Sequence, residues 1–152
     1  MVPAEVTRPD PAAPALLPGW LVIGSVTLPG RPECVRAARQ FVADRIGRHP
    51  RADEVLLLTS EVVTNAVLHS RSADPGGTVV VMASRLGSAL LMTVTDDGSA
   101  GSLPTISPGE ESGNGLVLVQ SLADRWGYLH DEAGTTVWFT IGQPCAAPGQ
   151  VR

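Results

Sequence analysis

Val55-Leu56-Leu57-Leu58-Thr59-Ser60-Glu61-Val62-Val63-Thr64-Asn65-Ala66-Val67 is the stretch on which the reading of this chain turns. Apolar residues occur all round its helical projection, which predicts a helix buried on more than one face. Two polar groups interrupt it, Glu61 and Asn65. Four residues apart on a helix, they point the same way. A carboxylate and an amide in such surroundings need partners or a cavity, because burial without either is costly. The pair is either the solvent stripe of the helix or a site. As a site, the amide oxygen binds a hard cation such as Mg²⁺ and the carboxylate serves as a general base.

Outward from this helix the periodicity is clear. Asp53 is placed to cap its start, and it runs to about His69 or Ser70. Upstream, an apolar β-branched strand at 20–28 ends at Pro29-Gly30. Pro32 then suits a first helical turn, and Val35, Ala38, Val42 and Ile46 make that helix amphipathic up to His49-Pro50. Downstream, Ala73-Asp74-Pro75-Gly76-Gly77 breaks the central helix. Strands at 78–85 and 89–95 flank Leu86-Gly87-Ser88 as a hairpin. A polar Gly/Ser/Pro segment follows at 96–113, too long for an inert connection, and reads as a lid or binding loop. A third helix at 116–122 ends near Asp124, and a second hairpin, 126–130 with 135–141, turns at Glu132-Ala133-Gly134. The order predicts an α+β fold, a mixed, mostly antiparallel sheet with helices packed on one face. The Pro/Ala-rich residues 1–18 predict a disordered arm and 143–152 a flexible tail, leaving 19–142 as one domain.

Composition narrows the chemistry. The 152 residues include 11 basic and 15 acidic ones, a net charge of −4, and every basic residue is arginine. Without lysine, a G-x-x-x-x-G-K-[ST] phosphate loop, the strand lysine of the protein-kinase fold and Schiff-base chemistry are all closed. At 43% hydrophobic and 17% charged residues, the chain is globular. The acidic balance argues against nucleic acid, which rewards clustered positive charge. No apolar run reaches a membrane span, and the start lacks a signal pattern, so a cytoplasmic location is expected. Cys34 and Cys145 read as unpaired thiols. His49, His69 and His130 do not form metal-ligand spacing, and Trp20, Trp126 and Trp138 read as packing residues.

Two further clusters carry potential chemistry. Asp96-Asp97-Gly98 directly follows a strand. It is either a turn or an acceptor for the exocyclic amine of a base, with glycine admitting the ring. Gly113-Asn114-Gly115-Leu116 opens the third helix, as a hinge and cap or as a backbone cradle for phosphate. The chain's two asparagines, Asn65 and Asn114, both lie in these clusters.

Taken in order, E-x-x-x-N on a helix, D-x-G at a strand end, a lid, G-x-G-L and a last hairpin with Gly134-Thr135-Thr136 resemble the GHKL ATP-binding family of gyrase, heat-shock chaperone, histidine kinase and MutL. The stretches Glu111-Ser112-Gly113-Asn114-Gly115-Leu116 and Leu122-Ala123-Asp124-Arg125-Trp126-Gly127 are similar to the small stand-alone actinobacterial regulators, the anti-sigma factor serine/threonine kinases. The resemblance spans roughly residues 20–141 and implies a Bergerat-type sandwich. It implies ATP and Mg²⁺ as cofactors, with Asn65 on the Mg²⁺, Glu61 as catalytic base and Asp96 accepting from the adenine amine. Gly98 would leave room for the ring, Gly113 and Gly115 would wrap the phosphates beside Asn114 and Leu116, and Thr135 would support adenine recognition.

The chain departs from the family's D-x-G-x-G, since Gly98-Ser99-Ala100-Gly101 sets the second glycine one place late. The lid also carries no basic residue. The function the resemblance implies is a serine/threonine kinase acting on a small antagonist protein of the anti-anti-sigma type. The alternative is an ATP-dependent switch that sequesters a partner such as a sigma factor. Either one implies a protein partner, no nucleic acid and no membrane. A homodimer through the early strand and helix is a further expectation of the resemblance.

Overall fold

The computed structural model describes residues 19–69, 74–98, 114–131 and 134–142. Strand β1 (Leu21–Pro29) leads into helices α1 (Cys34–Ile46) and α2 (Ala52–His69). The hairpin β2 (Thr78–Leu86) and β3 (Ala89–Asp96) follows, then α3 (Asn114–Leu122) and the hairpin β4 (Arg125–Asp131) and β5 (Gly134–Ile141). The expected element order is thus observed. Among the described residues the five strands lie in the order β1-β2-β3-β5-β4, and every pairing is antiparallel, so the expected mixed sheet is observed there as an antiparallel one. The expected arm at 1–18, the tail at 143–152 with Cys145, and all of the expected lid at 96–113 beyond Gly98 lie outside the described residues.

Strand alternation divides the molecule into two faces. Leu90, Met92 and Val94 of β3, and Val137, Phe139 and Ile141 of β5, point to the helices and join one core. Val55, Leu58, Val62, Val63, Ala66 and Val67 of α2 meet them there. A fully buried side chain such as Leu58, Leu90 or Phe139 contributes about 1.5–3 kcal/mol of transfer free energy. The opposite face holds a smaller cluster, in which Trp20 and Leu129 pack on the buried Leu91 and Trp138. Trp138 lies over Gly127, where any Cβ would press on the indole. Trp126 belongs to the helix-side core, so all three tryptophans pack as expected.

The starts of α1 and α2 differ from expectation. Helix α1 begins at Cys34, with Pro32 in the preceding turn, where its carbonyl accepts from Val35 N–H at 3.2 Å. Buried Cys34, Ala38, Val42 and Ile46 form its inner stripe, while Val35 is only partly covered. Cys34 is a free thiol, pushed up in pKa chiefly by burial. Helix α2 begins at Ala52, which places Asp53 inside the first turn and not at the cap. His49 does the capping: its carbonyl accepts from Ala52 N–H at 3.0 Å, and its Nδ1 accepts from Arg51 N–H at 3.0 Å. With Nδ1 so used, Nε2 carries the proton and donates to Ser88 O at 2.6 Å.

Candidate functional site

Glu61 and Asn65 lie on the half-exposed stripe of α2, bracketed by Leu57 and Leu68, which are 41% and 63% exposed. Residues 57, 61, 65 and 68 repeat at helical spacing, so these four side chains share one face. Among the described residues, no hydrogen bond or ion pair holds the Glu61 carboxylate or the Asn65 amide. Helix α2 packs on β3 and on α3. From its last turn at His69 the chain returns to Thr78, which starts β2. There β2 starts beside the finish of β3.

That sheet end is polar on its helix side. The β2–β3 ladder runs from Leu86 opposite Ala89 to Val80 opposite Thr95, and beyond it the Asp97 carboxylate accepts from Thr78 N–H at 3.0 Å. Asp96 pairs with Thr135 of β5, and Thr135 pairs with His130 of β4. By alternation these three follow Val94, Val137 and Tyr128 onto the helix-facing side. The Asp96 Oδ1 accepts from Gly98 N–H at 2.6 Å, and its carboxylate also accepts from the Thr135 backbone N–H. Burial pushes the Asp96 carboxyl up from its ordinary value of 3.8. The Gly98 and Thr135 N–H groups pull it back, Asp97 adds to the rise, and His130 opposes it. The result is a carboxylate held rigidly at a strand end.

Two glycines close this end. Gly98 has φ +77°, and a Cβ there would lie 3.1 Å from Gly134 Cα. Gly134 has φ +154°, and its Cβ would overlap the Asp96 carbonyl oxygen. The turn and the close approach of β3 to β5 thus both require glycine, a role for Gly98 beside the ring clearance expected of it. Asn114, Gly115 and Leu116 open α3 two residues earlier than expected, and only their place in the helix is described. Gly113 lies outside the described residues.

Sequence reasoning missed three contributors. His130 Nδ1 lies 2.8 Å from Thr135 Oγ1, behind Asp96. Asp97 ties β3 to β2, and Asp124 fastens the far end of α3. The Asp124 carboxylate takes Arg51 Nη1 at 2.9 Å and Gly142 N–H at 2.5 Å, while Arg51 Nη2 caps Leu122 O at 3.1 Å. The Leu122-to-Gly127 stretch is therefore a fastening, with Gly127 seating Trp138 and Arg125 stacked on that ring at 5.7 Å.

A five-stranded antiparallel sheet under three helices, with a strand-end aspartate facing the helix that carries Glu61 and Asn65, fits one known family in particular. Residues 28–141 match the histidine kinase-like ATPase domain. The chain belongs to this family. ATP is the ligand the family implies, and Mg²⁺ usually accompanies it. The structure also resembles the histidine kinase domain of a blue-light activated histidine kinase from Erythrobacter litoralis EL346. The two are 25% identical with a TM-score of 0.50, over 72% of this chain and 59% of that one. No curated protein matches the sequence.

The donor set fits this ligand. Among the described residues no group of three or more His, Cys, Asp or Glu side chains could hold a metal. Mg²⁺ keeps several waters and takes one or two protein ligands plus phosphate oxygens. A single unpartnered amide, Asn65, suits that habit. No helix among the described residues is long and apolar enough to cross a membrane.

Proposed function

We propose that this chain is a cytoplasmic, ATP- and Mg²⁺-dependent serine/threonine protein kinase of the anti-sigma factor type, acting on a small antagonist protein. The observation that carries the reading is the placement of Glu61 and Asn65. They share one half-exposed stripe without side-chain partners among the described residues, on the helix that packs over the Asp96 strand. In this reading Asn65 holds Mg²⁺, which supplies charge compensation for the phosphates. Glu61 accepts the proton of the acceptor hydroxyl. Asp96 accepts from the adenine amine beside Thr135, and the start of α3, from Asn114 to Leu116, meets the phosphates after Gly113. Phosphoryl transfer is mostly positioning plus electrostatics, so this sparse set suffices.

A second reading, an ATP-dependent switch that sequesters a partner such as a sigma factor, is favoured by one observation. Residues 99–113 contain no basic side chain to meet a γ-phosphate. The exposed Leu21 and Val22 on edge strand β1 support a homodimer through that strand. The deciding experiment is a capture of partners from host lysate with γ-labelled Mg-ATP, using wild type, Glu61→Ala and Asn65→Ala. The kinase reading expects label on a captured protein with wild type, none with Glu61→Ala despite intact ATP binding, and weakened ATP binding with Asn65→Ala. Capture without label selects the switch, and absence of ATP binding by wild type sinks both.

A further inference from the structure

The helix-facing side of the sheet end carries a row of three side chains from three strands: Asp96 on β3, Thr135 on β5 and His130 on β4. Thr135 is only 5% exposed, and the partner of its hydroxyl is His130 Nδ1 at 2.8 Å. A hydroxyl has one proton to give. If Nδ1 is bare, Thr135 must donate to it, and only oxygen lone pairs remain for a ligand. If Nδ1 carries the proton, the imidazole donates and the Thr135 O–H is free to donate into the site. The histidine thus decides what its neighbour presents.

Adenine supplies the complementary requirement. Its Watson–Crick edge offers the N6 amine as donor and N1 as adjacent acceptor. Asp96 is acceptor-only when ionised, so it takes the amine. The group beside Asp96 on the same face must then donate to N1. That group is the Thr135 hydroxyl, one strand over.

We propose that His130 is a positioning residue for base selection: its Nδ1–H holds the Thr135 hydroxyl as a donor toward the N1 position of adenine. The proposal rests on the nucleotide reading above. His130 itself needs no contact with the ligand. Its exposed position on an outer strand leaves the core untouched when it is changed.

The test compares binding of ATP and of 1-deaza-ATP, which keeps the N6 amine but replaces N1 with C–H. Calorimetry is run on the full chain and on His130→Ala, His130→Asn and His130→Asp. Wild type should prefer ATP by roughly 3- to 10-fold, the worth of one hydrogen bond. His130→Ala should lose the preference while still binding both nucleotides. His130→Asn, whose amide can place an N–H where Nδ1–H stood, should restore it. His130→Asp, an acceptor that draws the hydroxyl proton to itself, should abolish it. A His130→Ala chain that retains the full preference, or an Asp variant that discriminates like wild type, overturns the proposal while leaving nucleotide binding intact. Failure of wild type to bind either nucleotide overturns the nucleotide reading and this inference with it.

Discussion

Asp96 concentrates the costs of the site in one side chain. Its folded pKa is raised, chiefly by burial, above the ordinary 3.8. The folded chain therefore holds the proton more tightly than the unfolded one, and stability falls as pH rises from about 3.8 through the raised value. Above it the cost of the buried charge is fully present. Asp96→Asn keeps an oxygen for Gly98 and Thr135 N–H without the charge. Urea denaturation across this pH range should show wild type losing stability relative to Asp96→Asn as pH rises, and parallel profiles would refute the account. The residue was legible in the sequence because strand alternation ends in D-x-G, a purely local pattern. Glu61 and Asn65 were legible for the same reason, through helical spacing. His130 was not: its partner is set by hairpin register, and no local spacing encodes that register. The mutual need of Gly98 and Gly134 for a missing Cβ is likewise a contact between distant strands.

At the scale of elements, the order of strands and helices could be read from periodicity almost to the residue, but how the elements are fastened could not. Asp53 offered the usual capping chemistry, yet His49 took the role because its ring nitrogen reaches the Arg51 amide. Arg51, released to its side-chain contacts, bridges Glu54 at 2.5 Å and Asp124 at 2.9 Å. The guanidinium is a third exposed, so solvent screens both ion pairs and each contributes less than about 1 kcal/mol. The Gly142 N–H and Leu122 carbonyl add hydrogen bonds to charged partners. Asp124→Ala should therefore cost about 1–2 kcal/mol in chemical denaturation. It should also speed hydrogen exchange at Gly142 more than at Val94 in the central strand. Unchanged exchange at Gly142 would show that the fastening carries no load.

For the whole molecule, the nucleotide reading makes a thermodynamic demand. Ligand bound only to the folded chain adds stability, about 2.7 kcal/mol at 100 times its Kd. For a domain of this size that corresponds to a rise in Tm of roughly 5–15 °C. Calorimetry with saturating Mg-ATP should show such a rise in wild type and in Glu61→Ala, and most of it should vanish in Asn65→Ala. A wild-type Tm indifferent to Mg-ATP would contradict the reading. On this reading the proposed site residues are spread over α2, β3 and β5, so the ligand would reward the intact assembly and not any one part.

The strand order has a consequence for biosynthesis. β3 finds its second neighbour only in β5, which leaves the ribosome after residues 97–133 have emerged. On the nucleotide reading, a nascent chain already holding Glu61, Asn65 and Asp96 has part of the site and no Thr135 or His130 to complete it. Interrupted products carry an unpaired β3 edge that is long and apolar, open to aggregation and proteolysis. The cell's ATP would protect finished copies and leave truncated ones to be cleared.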